Sequence, residues 1–298
     1  MSRVRFDSID AISKISNVIY SGVGWSNYNK SKTVNENIKF LYNNKPLDLI
    51  VVYKPASLIG FAEVEVLKCI RYNEMWDING TTDEIVKSKV NIVMAHHLND
   101  IPHYNHIKNV KFEHIPHSAN VNIFKDYQEE KKYDVLLTGA ICKKHYPFRC
   151  RLVKIIKEKL SKVVNCKILS HPGGNLKKLK GFAGDNYARE LNRSKLVLTC
   201  SSKYKYRLGK YVEIPMCASM LAADLPNQDQ DEFSKFMLVL KTSDSDDVII
   251  NKIVHYVKND EERNARIRIG LDWAKGYTQE MYANRFISFI EYFLGGRQ

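Results

Sequence analysis

Short, β-rich apolar runs recur along this chain with stretches of helical character between them, and that alternation limits what it can fold into. Leu47-Asp-Leu-Ile-Val-Val-Tyr, Val90-Asn-Ile-Val-Met-Ala and Val110-Lys-Phe-Glu-His-Ile read as strands in the first half. Tyr133-Asp-Val-Leu-Leu-Thr, Val164-Asn-Cys-Lys-Ile-Leu, Lys195-Leu-Val-Leu-Thr-Cys, Met220-Leu-Ala-Ala and Phe236-Met-Leu-Val-Leu read as strands in the second. Most are nearly continuous in hydrophobicity, as parallel strands covered on both faces are. Helices fit the gaps. Pro147 suits a first helical position, and Phe148, Leu152, Ile155, Ile156, Leu160 and Val163 form an apolar stripe behind it. Asp185–Ser194, Asp246–Lys258 and Thr278–Leu294 are further helices, the last capped by Thr278 with Glu280 in its first turn.

A chain of 298 residues accommodates two such α/β units. The polar stretch Lys125-Asp-Tyr-Gln-Glu-Glu-Lys-Lys-Tyr marks the expected joint, giving domains 1–126 and 127–298. No apolar run reaches the roughly 20 residues of a membrane span, and Met1 to Ile15 lacks the apolar core of a secretory signal. Six cysteines without a CxxC pair, several inside apolar runs, read as reduced buried thiols with no disulfide framework. The chain is therefore expected in the cytoplasm.

The net charge of +13 points to anionic partners. The lysines are dispersed, and clusters such as Lys154-Ile-Ile-Lys-Glu-Lys and Lys177-Lys-Leu-Lys are broken by apolar positions, as on solvated helix faces. A phosphorylated small molecule is favoured over nucleic acid, which would bind through a concentrated basic patch.

Open α/β sheets bind ligands beyond the carboxyl ends of their strands. Three loops of the second half are placed for that role: Thr138-Gly-Ala-Ile-Cys-Lys-Lys-His-Tyr-Pro-Phe-Arg, Leu169-Ser-His-Pro-Gly-Gly-Asn and Ser201-Ser-Lys-Tyr-Lys-Tyr-Arg-Leu-Gly-Lys. Neither GxGxxG nor GxxxxGK[ST] occurs, so a dinucleotide fingerprint and a P-loop are both unsupported. The third loop carries Lys203, Lys205, Arg207 and Lys210 just ahead of Glu213. Basic side chains before a helix suit a diphosphate, and a carboxylate one turn later suits ribose hydroxyls. Spacing alone allows equally a solvated basic loop with a surface glutamate.

The run Arg207-Leu-Gly-Lys-Tyr-Val-Glu-Ile-Pro-Met-Cys-Ala-Ser-Met-Leu-Ala-Ala-Asp resembles the donor-site segment of family-1-like, GT-B-fold glycosyltransferases. It is most similar to the spore-maturation (CgeB-like) branch, with its pattern R-x-F-E-x-x-A-x-G-x-x-x-x-x-D. The opening Tyr133-Asp-Val, the glycine loop at residue 139, the stretch His114-Ile-Pro-His-Ser-Ala-Asn and the segment from Asp260 through Gly270 to Phe286 agree with it. The likeness runs over about residues 90–295.

The resemblance implies an α/β, GT-B-like fold: two Rossmann-type domains with parallel sheets facing across a cleft, the last helix packing back on the first domain. It implies a glycosyltransferase moving a sugar from a nucleotide-sugar donor, UDP- or GDP-linked ahead of others, to a hydroxyl of a glycan or other acceptor. Glu213 matches the glutamate that binds the donor ribose. Lys210 falls at the pattern's arginine, with Arg207 a turn earlier, so either is placed for the diphosphate. Gly139 matches the glycine of the first loop, and Asp224 the closing aspartate; Arg149, by its charge, adds a cation for the ligand to that first loop. The chain departs from the pattern in three places. Lys205 stands where retaining members carry the first glutamate of E-x7-E, Ala218 where a glycine is usual, and Pro215 inside the expected helix.

The negative charge of a leaving nucleoside diphosphate can be met by Lys, Arg and helix dipoles, so neither a metal nor a tightly bound cofactor is expected. Asp229-Gln-Asp and Asp244-Ser-Asp are the triplets a metal-bound donor would use, but both lie late in the chain in polar loops. Six of nine histidines, His96, His97, His103, His106, His114 and His117, crowd one stretch without an HExxH or a cysteine partner. His117 is the histidine best placed for the cleft, as a base or a phosphate contact. In the first half, Ser21-Gly-Val-Gly-Trp-Ser-Asn-Tyr-Asn-Lys, Trp25, Trp76, Glu74 and Asp77 are candidate acceptor contacts, with Glu74 or Asp77 as general base. Two other functions stay open: the basic charge fits a nucleic-acid-binding protein, and the departures at Lys205 and Ala218 from the family pattern suggest a catalytically idle GT-B-like binding module. Oligomeric state is open at this level.

Overall fold

A computed structural model describes residues 3–42, 47–53, 55–169 and 184–295. The chain divides into two compact units, 13–116 and a larger one of 1–12 with 117–298. After helix α1 (Arg3–Ser13), the smaller unit runs α2 (Val34–Tyr42), β1 (Leu49–Val52), β2 (Leu67–Tyr72), α3 (Ile78–Ser88), β3 (Ile92–Ala95) and β4 (Lys111–His114). Its strands are all parallel and lie in chain order β1-β2-β3-β4.

β2 is the strand that hydrophobicity conceals. Lys68 and Arg71 interrupt its apolar character, yet both are buried. The Lys68 ammonium donates to the carbonyls of Ala62 (3.1 Å) and Val64 (2.9 Å). The Arg71 guanidinium donates to the Tyr53 hydroxyl at 3.1 Å and lies over its ring. Backbone and phenol oxygens thus replace the water these charges would otherwise hold.

The larger unit runs β5 (Tyr133–Thr138), α4 (Pro147–Glu158), β6 (Cys166–Leu169), α5 (Asp185–Asn192), β7 (Ser194–Leu198), α6 (Lys210–Met216), β8 (Met220–Ala223), α7 (Gln230–Phe236), β9 (Leu238–Val239), α8 (Asp246–Lys258), α9 (Asp260–Ala274) and α10 (Gln279–Gly295). Its five strands are parallel, in the order β6-β5-β7-β8-β9. Alternate residues serve two separate cores. Val135, Leu137, Leu196 and Leu198 pack with Leu152 and Ile155 of α4 and Ile249 and Ile253 of α8. Leu136, Val197 and Leu221 face the other way, onto Leu191 of α5, Tyr211 and Ile214 of α6 and Phe233 of α7. Covering both faces is what makes each strand a continuous apolar run.

The polar stretch at the expected joint is tied down within the larger unit. Glu129 pairs with Arg189 and Arg193. The Asn192 amide donates to Asp126 Oδ1 and to the Cys217 carbonyl, at 2.9 and 2.8 Å. Lys131 donates to the carbonyls of Asn192 and Ala218.

α9 carries little apolar periodicity because its inward face is unusual. Arg263 is buried and donates to the Tyr256 and Val257 carbonyls at 2.8 and 3.0 Å. Gly270 sits where a Cβ would stand 2.8 Å from the Phe236 ring and 3.4 Å from Pro215, so its bare backbone allows α9 to approach α6 and α7. Pro215 lies in the final turn of α6, which ends one residue later. The helix is shortened there, and its first turn is left intact. Ala218, just beyond, takes φ +49, the left-handed conformation that glycine adopts without strain.

Candidate functional site

The larger sheet reverses its winding between β5 and β7: the chain moves from β5 outward to β6, then returns to the opposite side of β5. A crevice opens where two neighbouring strands lead to opposite faces, and it is the expected ligand position in such sheets. The loops bordering it follow Thr138 and Leu198.

Arg149, in the first turn of α4, ties these loops together from beneath. Its Nη1 donates to the Ala140 carbonyl at 2.8 Å, and its Nη2 to Thr199 Oγ1 at 3.0 Å and the Cys200 carbonyl at 3.4 Å. The guanidinium is only 1% exposed and lies 4.3 Å from the centroid of the Tyr146 ring. Gly139, at φ +112, passes directly over it. Lys203 N also donates to the His145 carbonyl at 2.9 Å, which fastens the two loops a second time.

The loop after β7 is organised by Asp224 at the end of β8. Its buried carboxylate accepts from Ser201 N (2.9 Å), Ser201 Oγ (2.6 Å) and Lys205 Nζ (2.8 Å). Its carbonyl accepts from the Tyr211 hydroxyl at 2.6 Å. Lys205 itself has a left-handed backbone, φ +57, which turns the chain back toward α6.

Arg207 is buried among other partners. Nη1 pairs with Asp229 Oδ2 at 2.9 Å, Nη2 donates to the His117 carbonyl at 3.4 Å, and the guanidinium lies over Tyr277 (4.2 Å) and Trp273 (5.6 Å). The structure thus joins Arg207 to His117 and to the end of α9, and Lys205 to Asp224.

The start of α6 brings Lys210 and Glu213 together. Glu213 is 8% exposed, and its Oε2 has no hydrogen-bond partner among the described residues. Burial raises its pKa above the usual carboxylate range, against the opposing pull of the Lys210 charge. Burial depresses the pKa of the Lys210 ammonium, the Glu213 carboxylate opposing this and Arg149 adding to it. Tyr187 of α5 closes the group: Lys210 Nζ lies 5.8 Å from its ring centroid, and its hydroxyl accepts from Thr138 Oγ1 at 3.4 Å. The Tyr187 pKa is pushed far up, first by burial and then by Glu213. Thr138, Arg149, Tyr187, Lys210 and Glu213 therefore form one electrostatic group at the crevice.

Tyr187 is the member that sequence reasoning missed; nothing in Asp185–Asn192 distinguishes it from an ordinary helix residue. The Gly173-Gly174 loop and the Lys177-Lys-Leu-Lys cluster lie outside the described residues, as does Lys54 of Tyr53-Lys-Pro-Ala-Ser.

Glu74 and Asp77 are exposed in the smaller unit, after β2. Asp77 caps α3, its Oδ1 accepting from Gly80 N at 3.2 Å. His96 and His97 are buried at the end of β3. His96 Nδ1 contacts the Ile115 carbonyl at 2.8 Å, and His114 Nε2 the His96 carbonyl at 3.2 Å. His103 and His106 are exposed. Asp229 is committed to Arg207, and Asp244 to Lys252 at 2.7 Å. No group of three His, Cys, Asp or Glu among the described residues is arranged to hold a metal ion.

What the crevice offers is a buried carboxylate oxygen without a donor, and beside it the Lys210 ammonium with Arg149 adding its charge. Donor hydroxyls on neighbouring carbons satisfy the first, and a phosphate chain the second.

No family model matches this sequence, and no curated protein matches it. Solved structures do. Sucrose-phosphate synthase from Thermosynechococcus elongatus superposes with a TM-score of 0.60 at 11% identity, over 88% of this chain and 77% of that one. The pneumococcal O-GlcNAc transferase GtfA, in complex with UDP and GlcNAc, gives 0.56 at 12% identity over 83% of this chain. HepE of Anabaena, in complex with UDP-glucose, gives 0.59 at 9% identity, over 82% of this chain and 78% of that one. The chain spans 57% of the length of GtfA. The fold is thus α/β of the GT-B glycosyltransferase type, with two parallel sheets.

Proposed function

We propose that this protein is a glycosyltransferase that takes a sugar from a nucleotide-sugar donor and transfers it to a hydroxyl of a glycan or related acceptor. The observation that carries the reading is Glu213: a buried carboxylate oxygen without a donor, beside Lys210, at the reversal point of a sheet. In this reading Glu213 accepts the two ribose hydroxyls, and Lys210 meets the diphosphate. Arg149 supplies charge from below while it holds the glycine loop open at Gly139. UDP is the favoured nucleotide, since structures of this fold hold UDP or UDP-glucose.

Departure of the nucleoside diphosphate leaves negative charge that Lys210 and Arg149 are fixed in place to stabilise. Transfer is therefore proposed to proceed without a metal ion. The acceptor is assigned to the smaller unit, with Glu74 or Asp77 as the base that takes its proton; His117, in the larger unit, is the further candidate for a base or phosphate contact. Asp77 would have to release its cap on α3 to serve. The donor segment is closest to the spore-maturation pattern, so that branch is the proposed affiliation. The free cysteines, with Cys69, Cys200 and Cys217 buried, support action in a reducing cytoplasm.

A thermal-shift panel of UDP-, GDP-, ADP- and CMP-sugars tests the reading. One donor is expected to raise the melting temperature of the native chain by mass action, and Glu213→Ala to abolish the shift. Release of nucleoside diphosphate on adding a glycan acceptor reports turnover. Absence of any shift with every donor overturns the proposal.

A further inference from the structure

Between Asp10 and Glu36 the chain carries three lysines, Lys14, Lys30 and Lys32, and no carboxylate. Within this stretch Ile15, Ile19, Val23 and Trp25 are all exposed, Val23 by 83%. None belongs to the apolar core of the smaller unit, which gathers around Val34, Phe61, Ile70 and Val93. Isolated exposed apolar residues are ordinary; here four fall within eleven positions (15–25) of one loop.

The loop is built, with its own internal bonds. Asn37, buried on α2, accepts from Asn29 N at 2.9 Å, and its amide donates to the Asn29 and Thr33 carbonyls at 3.0 Å each. Trp25 N donates to the Gly22 carbonyl at 3.0 Å and Tyr28 N to the Trp25 carbonyl at 3.1 Å. Tyr20 stacks on Trp25 with centroids 5.8 Å apart. Gly24, between Val23 and Trp25, has φ +103 with open space around it, so the backbone conformation itself requires glycine there. Glu36, at the border, is closed into a capping box with Thr33, at 2.8 Å to Thr33 N and 2.7 Å to its Oγ1.

We propose that residues 14–32 form a docking surface for an anionic lipid bilayer. Ile15, Ile19, Val23 and Trp25 enter the boundary between headgroups and acyl chains, and Lys30 and Lys32 meet lipid phosphates. An indole beside aliphatic side chains suits that boundary, where one end of the ring is apolar and the other wet. The absence of any carboxylate matches a surface of uniform negative charge. The stretch contains no strand whose edge a partner chain could extend. This inference goes beyond the transferase reading and does not depend on it.

Co-sedimentation of the full chain with vesicles tests it. Binding is expected to mixed phosphatidylglycerol–phosphatidylcholine vesicles and to be weak with phosphatidylcholine alone. Val23→Ser with Trp25→Ser is expected to weaken partitioning at least tenfold, and Lys30→Gln with Lys32→Gln by about fivefold per lysine. All four side chains are exposed, so melting temperatures are expected to stay unchanged. The emission that Trp25→Phe removes, read as the difference between the native chain and that variant, should shift to the blue on addition of the mixed vesicles. The proposal is overturned by equal binding to both vesicle types, or by undiminished binding of the Val23/Trp25 variant. Self-association that the same variant abolishes, without vesicle binding, would assign the patch to a second copy of the chain and also overturn it.

Discussion

Gly139 and Arg149 compete for one volume: a Cβ on Gly139 would stand 2.7 Å from the Arg149 Cζ. The guanidinium is pinned by three oxygens from two loops and cannot retreat without losing them. Gly139→Ala is therefore expected to destabilise the chain by about 3 kcal/mol, combining overpacking with a strained backbone. Urea denaturation measures this. Arg149→Met in the same chain should recover the overpacking part, leaving the backbone part. Equal losses in both backgrounds would show that the two residues do not share the space.

Glu213 links stability to pH in a definite direction. Its folded pKa is raised by burial, so between its unfolded and folded values the folded state binds more protons. That contribution to stability is complete below the unfolded pKa and is lost as pH rises through the folded one. Glu213→Gln should therefore gain stability over the native chain as pH rises, by roughly 1 kcal/mol near neutrality. The same variant should lose donor affinity. A thermal melt across pH, with and without UDP-sugar, reads both; a gain that is flat with pH removes this account of the carboxyl.

Arg207 and Asp229 form a pair with one member buried and the other about a third exposed. Water screening at Asp229 limits the cost of Asp229→Asn to about 1–2 kcal/mol. Arg207→Met removes the charge together with its stacking on Tyr277 and Trp273, so the larger loss is expected there. If Arg207 acts through this packing, moderate donor affinity should survive its loss once the variant is folded. Isothermal titration with the donor decides; complete loss in a well-folded Arg207→Met protein would place the guanidinium on the diphosphate.

Ala218 holds a left-handed conformation just after α6. Replacing it with glycine removes the Cβ clash that costs L-residues about 1–2 kcal/mol, offset by extra freedom of the unfolded chain. Ala218→Gly should stabilise by about 0.5–1 kcal/mol, seen as a higher urea midpoint at unchanged slope. A destabilised variant would mean that the methyl group contributes packing that outweighs the strain.

The α/β character and the larger sheet were legible because Leu136 and Leu137 point to different cores and both must be apolar. β2 was hidden because Lys68 and Arg71 are satisfied by carbonyls and a phenol brought from elsewhere in the fold. α9 was hidden for a related reason: Arg263 and Gly270 occupy its inward face where apolar residues would normally reveal a helix. In the candidate site, Lys210 and Glu213 stood out through spacing. Spacing does not reveal that Arg149 turns inward, or that Arg207 stacks on Trp273 and Tyr277, far along the chain. Tyr187 joins the group only because α5 and β5 are neighbours, a tertiary fact with no local trace.

The smaller sheet winds in one direction, β1-β2-β3-β4, with no reversal among its described strands. Its described strands therefore lack the change of winding direction that marks the crevice in the larger sheet. A molecule held by this unit must be gripped by side chains standing on loops, and loops change sequence at little cost to the strands beneath them. The two halves of the protein are therefore open to different evolutionary histories. A partner gripped on the loops of the smaller unit can be exchanged while the crevice beside Glu213 stays fixed by the topology of its own sheet.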